Sequence, residues 1–142
     1  MIILDTNVIS ELLKPRPDAN VVTWLKSATD DVAITAVTLA ELWAGLRRLP
    51  DGRRKTDLTA QIESAIQPYR DTGAIIAFDA VAAFRYADIL AAREAAGLPI
   101  TTEDAQIAAI CRARDASCAT RNTKDFSGTG VALINPWMSA PL

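Results

Sequence analysis

Apolar and polar positions alternate along this chain in blocks, and the block lengths separate strands from helices. Residues 2–4 are a short apolar run that stops abruptly at Asp5-Thr6-Asn7. Comparable runs recur at residues 31–35 (DVAIT), 74–78 (AIIAF), 117–120 (SCAT) and 131–134 (VALI). Short apolar runs bounded by turn residues read as buried strands. Between them the apolar positions take a helical spacing over residues 8–13, 21–28, 38–49, 53–67, 80–96 and the stretch EDAQIAAICRARD. Pro15, Pro17, Pro50-Asp51-Gly52, Pro68 and Gly97-Leu98-Pro99 mark the expected stops. Asp18 or Asn20, Asp79, and Thr101 or Thr102 are the expected N-caps. Residues between 120 and 131 read as a loop. Strands divided by helices predict an α/β fold with a parallel sheet covered on both faces.

Composition narrows the chemistry. A chain of 142 residues, half of them apolar, suits one domain over residues 1–142 with a sizeable core. No apolar stretch approaches the ~20 residues of a membrane span. The N-terminus lacks the basic region of a signal peptide, so a cytoplasmic location is expected. Cys111 and Cys118 form no metal or redox motif and read as small buried residues. There is no histidine. That removes the commonest general base and every Ser-His or Cys-His pair. Chemistry must then rest on carboxylates, Lys/Arg, or a metal held by oxygen. A net charge of −2 argues against a general nucleic-acid coat protein, but is compatible with an enzyme that has a local basic patch.

Polar residues gather where strands end and helices begin. Asp5 follows the first strand. Glu41 is expected in the first turn of the helix after the second. Asp104 opens the helix after Gly97-Leu98-Pro99. Asn122 and Asp125 follow the fourth strand. Each has a structural reading: Asp5 as N-cap, Thr38-Leu39-Ala40-Glu41 as a capping box, Asp104 on its helix dipole, Asp125 in a turn. Taken together they have another. In an open parallel sheet, ligands bind beyond the carboxyl ends of the strands. Asp104 shares the apolar face of Ile107, and a carboxylate aimed inward requires a partner. Clustered carboxylates repel one another, and an oxygen-only ligand set selects Mg²⁺ or Mn²⁺.

The stretches ILDTNVISEL, TAVTLAELWAGL, TTEDAQIAAICR and CATRNTKDF, in this order and spacing, resemble the PIN-domain ribonucleases. Within these the chain is similar to the VapC toxins of type II toxin–antitoxin modules, and to the FitB type, including the terminal GVALINPW. The resemblance covers essentially the whole chain. It implies a three-layer α/β/α sandwich with a parallel sheet of about five strands, and Mg²⁺- or Mn²⁺-dependent endoribonuclease activity. It also implies inhibition by a cognate VapB/FitA-like antitoxin, repression of operator DNA through that antitoxin, and a homodimer. Asp5, Glu41 and Asp104 match the family's three leading acids, with Asp5 and Asp104 as metal ligands. Thr6 and Asn7 match the flanking polar residues. FitB-like chains often carry an aspartate where this one has Asn122, and Asp125 could contribute from the next turn.

Arg121 and Lys124 flank the proposed acids and are the expected phosphate contacts. Arg47, Arg48, Arg53, Arg54 and Lys55 read as a solvated face, and Trp24, Trp43 and Trp137 as core or interface residues. Two other functions compete. A catalytically weak PIN-like module acting by binding its antitoxin and DNA draws on Asn122. A phospho-acceptor receiver domain would need an acidic pair after the first strand, which Asp5-Thr6 lacks.

Overall fold

The structure, a computed structural model, describes residues 1–138. β1 (Ile2–Leu4) leads to α1 (Thr6–Leu12) and α2 (Ala19–Ser27). β2 (Val32–Thr35) leads to α3 (Ala36–Arg48) and α4 (Arg53–Asp71), and β3 (Ile75–Ile76) to α5 (Ala80–Ala95) and α6 (Thr102–Ala113). β4 (Ser117–Ala119), α7 (Thr123–Phe126) and β5 (Leu133–Ile134) complete the order. All neighbouring strands are parallel, in the order β3-β2-β1-β4-β5. The chain therefore steps outward from β1 to β3, then returns to the other side of β1 for β4. The switch in direction lies between β1 and β4, where a parallel sheet opens a crevice.

Alternation along the strands makes the layers. Ile3, Ala33, Ile76 and Cys118 face α5 and α6, with Phe126 of α7. Ile2, Leu4, Ile34 and Ala119 face α1 to α4. Successive strand residues point to opposite faces, so each three- or four-residue strand feeds both cores. Trp24 and Trp43 pack on the second. Cys111 and Cys118 are buried free thiols. Contact with Cys111, then burial, pushes the Cys118 thiol up, which keeps it unreactive. Among the described residues no helix is long and apolar enough to cross a membrane.

Four local expectations need correction. α1 starts at Thr6 rather than residue 8, because Asp5 caps it directly. α3 starts at Ala36, because Thr35, the last residue of β2, accepts the Thr38 N–H at 3.1 Å. Thr38 is thus no N-cap, the capping box with Glu41 does not form, and Glu41 stands in the second turn. α4 runs through Pro68. Its ring is in the last turn, and the Pro68 carbonyl still accepts from the Thr72 N–H and hydroxyl. The helix ends at Asp71, and past its C-cap Thr72 comes Gly73 at φ 65°, where Ala74 N–H bonds Tyr69 O and Gly73 N–H bonds Arg70 O, the Schellman arrangement that favours glycine. Residues 123–126, read as loop, form α7 over the buried Phe126.

Arg93 is buried, yet no carboxylate pairs with it among the described residues. Its guanidinium donates to three carbonyls: Leu98 at 3.0 Å, Pro99 at 2.8 Å and Ser127 at 2.6 Å. It thereby ties the turn before α6 to the end of α7, the two segments that carry Asp104 and Asp125. Arg93→Met should cost roughly 2–4 kcal/mol by stranding these acceptors, with Arg93→Lys recovering part. Urea midpoints would show it. A change below about 0.5 kcal/mol, the size of an ordinary surface substitution, would mean that water replaces the guanidinium.

Candidate active site

The crevice at the switch point is a pocket of about 380 Å³. It brings together Asp5, Glu41, Asp104 and Asn122 from four separate stretches of chain, with Thr6, Asn7 and Arg121. Asp125 and Lys124 do not line it. Asp125 sits close enough for its charge to act on Asp104. Lys124 lies exposed on α7, because that segment coils into a helix instead of running along the pocket.

Asp5 is nearly sealed, at 4 % exposure, and three donors hold it. Its Oδ1 accepts the Thr6 N–H at 2.8 Å. Its Oδ2 accepts the Thr120 hydroxyl at 2.8 Å and the Asn7 amide at 3.2 Å. Asp5 therefore caps α1 and also lines the pocket. Thr120 ends β4 as Asp5 ends β1, so their bond locks the two strand ends across the switch point. Asn7 also donates to Thr120 at 3.3 Å and accepts the Arg121 N–H at 3.4 Å. The Asn122 N–H bonds Thr120 Oγ1 at 3.0 Å, while its side chain makes no capping bond.

A chain of hydroxyls holds Glu41. Thr6 donates to its Oε1 at 2.7 Å. Thr6 contacts the buried Thr38 hydroxyl at 2.9 Å, and Thr35 donates to Thr38 at 3.4 Å. Aligned hydroxyls polarise one another and fix the carboxylate at their end. Asp104 is half-buried at the start of α6, where Thr101 caps the helix. Behind Lys14, Glu11 is buried; the Lys14 ammonium at 2.9 Å and the Asp18 N–H at 3.0 Å hold its carboxyl below the ordinary range. Trp137 also lines the pocket, with the Arg121 guanidinium 5.3 Å from its ring centre.

Electrostatics set Asp5 and Asp104 apart from ordinary surface carboxylates. Burial pushes Asp5 up to about 6. Hydrogen bonds from Thr120 and Thr6 oppose it, and the charges of Asp104 and Glu41 add to it. Burial also raises Asp104, against its bond to Thr101, and Asp125, Glu41 and Glu103 push the same way. Among the described residues no three acids stand close enough to form a ready-made metal cage. Among the described residues no buried side-chain polar atom is left without a partner. The donor set suits a hard cation that takes one or two carboxylates and keeps most of its water. A carboxylate offers about four lone-pair sites, and Asp5 has three donors, which leaves room for one more.

Sequence reasoning missed Thr120, Thr38, Lys14 and Glu11. Thr120 had a signal: a hydroxyl ending the strand that pairs with the one ending in Asp5.

The PIN domain family pattern matches residues 2–131. The chain belongs to the PIN-domain family. This PIN domain is 41% identical to the toxin FitB of Neisseria gonorrhoeae over 138 residues, covering 96% of this chain and 99% of FitB. It is 39% identical to the VapC ribonuclease Y4jK of Sinorhizobium fredii over 141 residues, 99% of this chain and 100% of that one. A structure of FitAB bound to an IR36 DNA fragment matches it with a TM-score of 0.89, at 39% identity over 99% of each chain. The three-layer fold with its five-stranded parallel sheet is that of the family.

The sign of the Asp5 effect is testable without metal. Folded Asp5 holds its proton up to about 6 against an ordinary 3.8. Between those values the folded chain binds more protons than the unfolded one. The stability contributed by neutral Asp5 is therefore complete below about 4 and is lost as pH rises through about 6, on the order of 2–3 kcal/mol. In EDTA, the melting temperature of Asp5→Asn relative to wild type should rise between pH 4 and pH 7. A constant difference would refute the assignment.

Proposed function

We propose that this PIN domain, taken as one domain over residues 1–142, is a metal-dependent endoribonuclease acting as the toxin of a type II toxin–antitoxin pair. One observation carries the reading. Asp5, Glu41, Asp104 and Asn122 converge on a single pocket at the switch point, in a chain with no histidine to act instead. The similarity to a chain named VapC ribonuclease and to one named toxin FitB supports it.

Asp5 and Asp104 would hold Mg²⁺ or Mn²⁺. When bound, such an ion supplies charge neutralisation and Lewis acidity toward water and the phosphodiester. The protein's own residues do the rest. Thr6 keeps one oxygen of Glu41 occupied, so the other is free to accept a proton from the attacking water. Asn122 offers an amide in place of a fourth acid, which supports one cation over two, since charge count sets affinity for hard ions. Arg121 offers its guanidinium to phosphate oxygens.

A groove of about 470 Å³ between α1, α3 and α4 is lined by Leu13, Leu42, Leu46, Leu58 and Ile62, and it reaches Thr6 and Glu41. An amphipathic segment of a VapB/FitA-like antitoxin fits such a groove and would lie against the site it inhibits. Operator DNA would be reached through that antitoxin, as the DNA-bound FitAB structure supports. Val81 and Phe84, exposed on α5, offer an apolar surface for the homodimer, and a cytoplasmic location follows from RNA as substrate.

Asp104→Asn should cut cleavage of single-stranded RNA by at least about 100-fold while the melting curve stays cooperative. Full activity would overturn the mechanism. Calorimetry with Mn²⁺ separates the weak-module reading that Asn122 favours: no binding near millimolar metal would leave binding to antitoxin and DNA as the function.

A further inference from the structure

We propose that Lys14 is a phosphate-binding residue of this pocket, contacting a phosphate of an RNA strand. The inference rests on the ribonuclease reading above.

Asn7 and Ser10 stand three residues apart on one face of α1, and Lys14 follows just past the helix end at Leu12. All three line the pocket. Among the described residues lining the pocket, Lys14 and Arg121 are the cations, against Asp5, Glu11, Glu41 and Asp104. A polyanion entering so acidic a pocket needs both. Trp137 links them: its ring lies against the Arg121 guanidinium, and its side chain hydrogen-bonds the Glu11 that pairs with Lys14.

Glu11 explains why Lys14 is ready. The Glu11 side chain is 7% exposed and that of Lys14 57%. The Asp18 N–H fixes the other Glu11 oxygen at 3.0 Å. A rigid, buried carboxylate thus holds a solvent-facing ammonium at the rim by one of its three donors, and the remaining two stay available to a phosphate. A long flexible side chain is positioned before the ligand arrives, which lowers the entropy lost on binding.

The test measures binding of a fluorescent single-stranded RNA oligonucleotide in EDTA, across a salt series. Lys14→Gln should weaken binding about 3- to 10-fold and lower the salt slope by about 0.7, the value of one phosphate contact on a single strand. Lys14→Arg should restore both. Lys14→Gln with Glu11→Gln keeps the wild-type net charge and strands no buried charge. It should show the same loss, whereas Lys26→Gln, away from the pocket, should not. Wild-type affinity and slope in a folded Lys14→Gln/Glu11→Gln protein would overturn the Lys14 assignment and leave the ribonuclease reading intact. Failure of wild type itself to bind RNA would overturn both.

Discussion

One buried carboxylate holds the site and the fold together. Asp5 ends β1, starts α1 through its Oδ1, and ties β1 to β4 through the Thr120 hydroxyl on its Oδ2. Burial opposes its charge, and the donors around it recover only part of that cost. The fold therefore holds an acid that is expensive to ionise at the one point where the strand order reverses. Relief must come from a proton or from a cation. On the proposed reading the pocket would respond to both, from the end of the central strand β1.

The other acids are held differently, and the contrast has a purpose. Glu41 is fixed by a hydroxyl chain that passes through two helices and a strand end. Asp104 depends on where α6 begins, and that start is set by the turn that Arg93 clamps. The same arginine reaches Ser127, just past the short helix that carries Asp125. Mutually repelling groups thus stand near one another because separate rigid supports hold each of them. Repulsion alone would spread them.

How much of this the sequence disclosed follows from the range of the interactions. Strands and helices were legible because apolar periodicity is local. The convergence of Asp5, Glu41 and Asp104 was legible because strand order puts helix starts on one edge. The start of α3 was misplaced by two residues because Thr35 and Thr38 are both good caps, and only the direct passage from β2 into α3 selects Thr35. Pro68 misled because a proline in a last turn forfeits a single backbone bond, which Thr72 and Gly73 offset. Thr120, Arg93 and the Glu11–Lys14 pair were invisible for one shared reason. Their partners either lie over 30 residues away, as for Asp5 with Thr120 and Arg93 with Ser127, or matter only through the pocket that tertiary packing creates.

Asn122 shows where geometry adds to resemblance. As a letter it is a lost acid. In the fold its main-chain N–H bonds Thr120, the residue that holds Asp5, and its side chain is not used for capping. An aspartate there would add a fourth negative charge beside a carboxyl already pushed up to about 6, and would raise it further. The amide keeps the polar contact without that penalty. With Asp125 displaced to α7 and acting on Asp104 through its charge, and Glu11 paired with Lys14, the uncompensated negative charge of the pocket concentrates on Asp5, Glu41 and Asp104. On the proposed reading, that distribution would favour a single, partly hydrated cation over a pair, and Lys14 and Arg121 would then carry more of the balance against substrate phosphates.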